Sequence, residues 1–200
     1  MRLFAGLLLM LLTGCASLPP PQHRDNLCTM FQERSDWFNS AHHASSTWGI
    51  PVPVLMATVE HESGFQSRVR PKRTYYLGFI PGPRASDAFG YAQARNQAWR
   101  DYRHSTGHHL AERDDFADAV DFIGWYDHGS VLRDHIEPDD AYHLYLAYHE
   151  GQGGYARGSW RDKAWLQRTA HGVAELAHRY EVQYQSCVKE LEAPHWWSWF

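Results

Sequence analysis

The chain has 200 residues and a formal net charge of −4 at pH 7. That length suits one domain around a single core. The acidic balance argues against nucleic acid as a partner and against a basic face lying on a membrane.

The first element is a leader. Arg2 is the only charge ahead of a run, Leu3 to Leu12, that is apolar apart from glycine. A short positive region before a run of this length reads as a secretory signal, too short to span a bilayer. It ends in Leu12-Thr13-Gly14-Cys15, which resembles the bacterial lipobox. The resemblance implies cleavage after residue 14 and a diacylglycerol on Cys15, giving a membrane-anchored lipoprotein; a plain signal peptide with an incidental cysteine is the alternative. Two or three acyl chains anchor stably where one does not. Ala16 stands where an Asp would retain a lipoprotein in the inner membrane, so in a Gram-negative cell the outer membrane, facing the periplasm, is expected.

Residues 15–26 are polar and proline-rich and read as an extended tether. Residues 27–200 then form the domain, mainly α-helical. Leu27–Trp48 carries Met30, Phe31, Trp37, Phe38 and Ala41 at helical spacing, and Gly49 ends it. Pro51 and Pro53 suit the start of a second helix running to about Ser63. Between 64 and 89, Gly64, Pro71, Gly78, Pro81, Gly82 and Pro83 break any pattern, leaving room for a small β-hairpin near 70–88. Further helices are expected at about 96–105, 114–127, 139–148 and 160–192. Cys28 and Cys187 remain once the leader and Cys15 are set aside. In an oxidising compartment such a pair reads as a disulfide closing a loop of about 160 residues, with two separate thiols as the alternative.

The second helix carries two candidate acids. Leu55, Val59 and Glu62 stand at i, i+4 and i+7 on one face, and Glu60 lies about 200° of rotation from Glu62. The apolar stripe must face the core, so Glu62 ends a buried face and Glu60 is expected in solvent. Partial burial raises a carboxyl pKa, as a general acid near neutral pH requires, although a structural ion pair would explain the same placement.

Three blocks bear on that choice. Val59-Glu60-His61-Glu62-Ser63-Gly64-Phe65 resembles the Glu-Ser signature of the soluble lytic transglycosylases and the goose-type lysozymes. Phe89-Gly90-Tyr91-Ala92-Gln93, followed by Trp99, resembles their Gly-Leu-Met-Gln block. Leu146-Ala147-Tyr148-His149-Glu150-Gly151 resembles their Ala-Tyr-Asn-Ala-Gly block. The resemblance spans about residues 45–155. It implies a lysozyme-like helical domain with a cleft for peptidoglycan glycan strands, needing no cofactor. Glu62 would serve as acid and then base, releasing 1,6-anhydro ends without water. Ser63 would help position the acid or the substrate acetamido group. Gln93 would hydrogen-bond in the cleft beside Tyr91, and Gly90 would permit close backbone approach. Tyr148 would point its hydroxyl at Glu62. His149-Glu150 departs from the family pattern: His149 would replace an amide, and Glu150 would either face solvent or add a second carboxylate. Arg70, Lys72, Arg73, Tyr75 and Tyr76 would form a lip of the groove, rings against sugars and cations against carboxylates, with a packed surface loop as the alternative.

Other chemistries fit less well. The 14 histidines raise a metal site, but His61-Glu62 is followed by Ser63-Gly64-Phe65, without the second His of the zinc-protease signature, so no metal is expected. No Gly-x-Ser-x-Gly elbow occurs. A hydrolytic lysozyme would need a placed water and often a second carboxylate, for which Glu150 or Asp87 are candidates. A non-catalytic peptidoglycan-binding lipoprotein would have no use for a desolvated acid. The aromatic end, His195 to Phe200, is expected to dock on the domain, with the membrane interface or a partner as the alternatives.

Overall fold

The structure, a computed structural model, describes residues 19–193; the leader, Cys15 and the aromatic end lie outside the described residues. The helices are α1 (Leu27–Glu33), α2 (Ser35–Trp48), α3 (Val52–Ser63), α4 (Asn96–Thr106), α5 (Phe116–Asp134), α6 (Ala141–Glu150), α7 (Gln152–Ala156) and α8 (Ala164–Leu191). One antiparallel hairpin, β1 (Arg73–Tyr76) and β2 (Ile80–Arg84), lies in the expected insertion. The domain is mainly α and lysozyme-like, as the sequence suggested.

α3 organises the core. From Val52 to Val59 it is apolar except for Thr58 and buried throughout, as befits a helix enclosed by others. Thr58 is tolerated because its hydroxyl donates to the Val54 carbonyl at 3.0 Å. Helices α2, α5 and α8 enclose it. α8 turns inward Leu166, Ala170, Val173, Ala177 and Tyr180, one stripe at three- and four-residue steps. α2 meets α5 at Gly124, where a Cβ would fall 2.6 Å from the Trp48 ring. That closeness lets the Trp48 indole N–H donate to the buried Asp121 at 2.7 Å, which also accepts from the Tyr102 hydroxyl at 2.6 Å.

The element bounds shift in three places. The helix expected over 27–48 breaks at Arg34 (φ −136°, ψ 73°), whose side chain reaches back to the Pro19 carbonyl at 3.0 Å. The break lets α1 pack on α8 while α2 packs on α5. α5 runs on to Asp134, until His135 turns left-handed. The final helix starts at Ala164, because glycines 151, 153, 154 and 158 divert the chain through the short α7.

The disulfide forms between Cys28 on α1 and Cys187 on α8, with Cα atoms 6.0 Å apart. The N-terminal segment beside it differs from the expected tether. Over residues 19–26 the chain is fastened to the domain: Tyr180 donates to the Arg24 carbonyl and Gln183 to that of Asp25, while Gln183 also accepts from the Leu27 amide. Composition favoured an extended, solvated chain; the side chains of α8 supply the hydrogen bonds that hold it instead.

Candidate active site

Glu62 sits in the last turn of α3, just before Gly64 ends the helix in the left-handed region (φ +57°). Its carboxyl is partly buried, and desolvation raises its pKa from 4.5 to about 7. Its place at the C-terminal end of the helix, where the backbone dipole is negative, also disfavours the carboxylate. Tyr145 of α6 acts the other way: its hydroxyl hydrogen-bonds the carboxyl and favours the charged form.

Tyr148, expected in that role, is turned elsewhere. Its hydroxyl donates to the Ala92 carbonyl at 2.6 Å, tying α6 to the 89–94 turn. It still senses Glu62, since burial and that neighbouring charge hold its hydroxyl protonated. The i, i+3 spacing puts Tyr145 and Tyr148 on one helix side, so the sequence contained Tyr145 as a candidate. What it lacked was the Ala92 acceptor that captures Tyr148.

Glu60 faces the opposite way, as helix rotation requires, but not into free solvent. It is half-buried, with Arg24 at 3.6 Å, and its Oε2 is buried without a hydrogen-bond partner. Burial raises its pKa and the Arg24 charge lowers it. The fastened N-terminal segment brings that cation over.

Several other expected site residues make their contacts within the protein itself. Ser63 is buried, and its hydroxyl donates to the Val59 carbonyl at 3.1 Å rather than toward Glu62. Tyr91 is 3% exposed and packs edge-on to Trp37 and Phe116, whose own rings stack at 4.0 Å. Gln93 spends its amide N–H groups on the Val69 and Gly90 carbonyls, at 3.0 and 2.8 Å. Gly90 does permit a close approach (φ +83°), but of the protein to itself. A Cβ there would fall 1.9 Å from the Arg113 carbonyl oxygen. The second block is therefore tied by its own contacts to α2, α5 and α6. Its sequence could not distinguish apolar side chains packed under a cleft from those lining it.

Glu150 neither faces solvent nor stands free as a second acid. Its side chain is 4% exposed and salt-bridged to Lys163 at 2.7 Å, with Ser159 and His149 donating as well. Although burial opposes them, these bonds hold its pKa below the usual carboxylate range. Asp87 accepts from Arg95 and from the first amide of α4, both at 3.3 Å. His149 is exposed, its ring edge-on to Trp165 at 5.1 Å. Tyr75 and Tyr76 are 57% and 60% exposed on the hairpin, available for contact as a lip requires.

The carboxyl that sequence reasoning missed is Asp127 on α5. It is 1% exposed, with Oδ1 lacking any partner, and burial keeps it protonated far above the usual range. It falls seven residues after Val120 and four after Ile123, on a buried stripe whose periodicity could have revealed it. Between pH 3.8 and its raised folded pKa the unfolded chain binds fewer protons, so Asp127 weakens the fold as pH rises. Asp127→Asn is expected to raise Tm at pH 7 by roughly 3–8 °C and to change little at pH 3, read by thermal melting. A lower Tm at pH 7 would show an ionised, compensated aspartate instead.

Among the described residues no three His, Cys, Asp or Glu side chains converge on a point that could hold a metal ion. The arrangement is a carboxyl with its pKa raised to about 7, hydrogen-bonded by a tyrosine at the end of a buried helix. No protein of curated function matches the chain. The sequence model of the transglycosylase SLT domain matches residues 3–187. That match covers most of the chain, ending at Cys187 in α8, and the protein belongs to the transglycosylase SLT domain family, which acts on peptidoglycan glycan strands.

Proposed function

We propose that the protein is a lytic transglycosylase in which Glu62 is the single acid and base. Protonated Glu62 gives its proton to the oxygen leaving C1 of an N-acetylmuramic acid residue. The resulting carboxylate then takes the proton of that sugar's 6-hydroxyl as its oxygen bonds to C1. One C–O bond breaks, one forms, the proton is returned, and no water is consumed. The observation that carries this reading is the desolvated Glu62 carboxyl at the end of the buried helix α3, where burial raises its pKa to about 7, the range an acid that also serves as base needs. The engagement of Glu150 and Asp87 and the burial of Asp127 favour the lyase over a hydrolase. Glu150 is neutralised by Lys163, Asp87 caps α4, and Asp127 is sealed in the core. Digestion of purified sacculi tests it: anhydro-muropeptides, one water lighter than their hydrated counterparts, are expected. Hydrated reducing ends would establish a lysozyme, and binding without any product a non-catalytic peptidoglycan-binding protein.

Tyr145 provides a finer test. Its hydrogen bond favours the Glu62 carboxylate, so its loss moves the pKa of the acid further up. In Tyr145→Phe the alkaline limb of the kcat/KM profile is expected to move to higher pH. The maximum rate should fall by roughly tenfold as orientation is lost. A limb that stays in place would remove Tyr145 from the role.

The lipid anchor on Cys15 completes the proposal. Because the chain is fastened from Pro19 onward, only three residues would separate Cys15 from the domain. At roughly 3.5 Å per residue that span is short, and it favours action close to the membrane. Cys15→Ala is expected to move the protein from the membrane to the soluble fraction; an unchanged distribution would overturn the anchor.

A further inference from the structure

We propose that Trp165, with His149 and His61, forms an aromatic shelf that takes one N-acetylated hexosamine of the glycan strand beside Glu62. This rests on the reading of Glu62 as the glycan-cleaving acid and assigns the sugar contact on its α6–α8 side.

The starting observation is an exposed tryptophan. Of the tryptophans at 37, 48, 99, 125, 160 and 165, Trp165 is the one with its side chain largely open, at 51% exposure. It stands in the first turn of α8, one residue before the buried stripe begins at Leu166. Nothing in the packing of α8 requires an indole there.

Its position is set with care. Glu150 closes α6, Lys163 precedes α8, and their salt bridge at 2.7–2.8 Å clamps the two helix ends together. Ser159 donates to the same carboxylate. This clamp holds His149 edge-on to Trp165, with ring centroids 5.1 Å apart and planes at 77°. Glu150 thus gains a positioning role.

The shelf continues to the acid. The His61 ring lies edge-on to Tyr145 at 5.0 Å, and Tyr145 is the residue that hydrogen-bonds Glu62. His61 and His149 are near enough for the charge of one to oppose that of the other. Tyr145 and His149 stand one turn apart on α6, so their ring contacts to His61 and to Trp165 lie on one side of that helix, the side that reaches Glu62.

The chemistry suits an amino sugar. The apolar C–H face of a pyranose packs on an indole plane, burying apolar area with little entropy lost by the rigid ring. Imidazole nitrogens beside it can donate to or accept from sugar hydroxyls and the acetamido group. No fixed cation of the shelf requires an anionic ligand, which favours the neutral sugar over a stem-peptide carboxylate.

The test uses the full-length chain in detergent, with chitotetraose as the binding probe and sacculi as substrate. Trp165→Ala is expected to weaken chitotetraose binding by about 10-fold in calorimetric titration. It should raise KM for sacculi by a similar factor, with kcat within about twofold, as loss of an aromatic anchor predicts. Trp165→Phe should recover most of the binding, since an aromatic face remains. His149→Ala, with unchanged Tm, provides a second arm and should weaken binding by about threefold. Wild-type affinity and KM in Trp165→Ala, or no chitotetraose binding by the wild type, would overturn the shelf. Failure of the acid reading is distinguishable. In that case the wild type leaves sacculi uncut, whereas the chitotetraose titrations still decide the shelf.

Discussion

Glu62→Gln is expected to release anhydro-muropeptides from sacculi at least about 10³-fold more slowly than the wild type, while melting at a higher temperature at pH 8. The first effect follows from removing the group that both donates and recovers the proton, a role contributing about 10²–10⁴ in each direction. The second follows from its cost to the fold. The folded pKa is about 7 against 4.5 for an exposed carboxyl, so between those values the unfolded chain has released a proton that the folded chain retains. Stability is therefore lost as pH rises through that window, and the loss is complete above about 7. Gln carries no such penalty. The gain in Glu62→Gln should vanish at pH 4 and reach about 3 kcal/mol at most by pH 8, less whatever solvent contact relieves. Thermal melts across that range read it directly. Glu60→Gln serves as the contrast, because its carboxyl faces Arg24 on the opposite side of α3. It should digest sacculi at close to the wild-type rate. Loss of activity in Glu60→Gln with retention in Glu62→Gln would overturn the assignment.

The double variant Cys28→Ala, Cys187→Ala is expected to lose about 4 kcal/mol of stability, roughly 8–15 °C in Tm, with the product pattern unchanged at low temperature. The bond joins residues 159 apart in sequence, so cutting it releases almost the whole domain to explore unfolded conformations. It also fixes α1 to α8, the pair that holds the N-terminal segment over α3. Glu62 lies on the other side of α3, oriented from α6, so the chemistry should survive where the fold does. Thermal melting with and without reductant measures the effect, and the wild type under reductant should approach the double variant. A Tm difference below about 3 °C would show that the unfolded chain gains little from the lost constraint.

The two blocks downstream of the acid show how far sequence patterns reach. Ala147-Tyr148-His149 placed a tyrosine hydroxyl on Glu62, and the hydroxyl that bonds it belongs to Tyr145, three residues earlier on the same helix side. Both tyrosines suit the role by chemistry; the Ala92 carbonyl on another segment takes one of them. Tyr91 likewise read as a cleft residue because the block containing it marks the cleft. In three dimensions Trp37 and Phe116 enclose it. Asp127 shows the converse, since its periodic position was visible while the lack of a partner at its buried Oδ1 was not. Glu150 was left between solvent and catalysis, and a lysine thirteen residues away resolved it as an ion pair.

Legible in the sequence were the helical class, room for a hairpin insertion, Cys28 and Cys187 as a candidate pair, and the separation of Glu62 from Glu60. Each depends on periodicity, on turn residues or on a count, and these act over a few neighbours or by elimination. The tertiary structure alone decided how strongly Glu62 is desolvated, which tyrosine orients it, and where Glu60, Glu150 and residues 19–26 find their partners. Those outcomes are set by groups distant in sequence. A carboxyl pKa or the direction of a hydroxyl depends on every charge and acceptor within a few ångströms, whichever part of the chain supplies it.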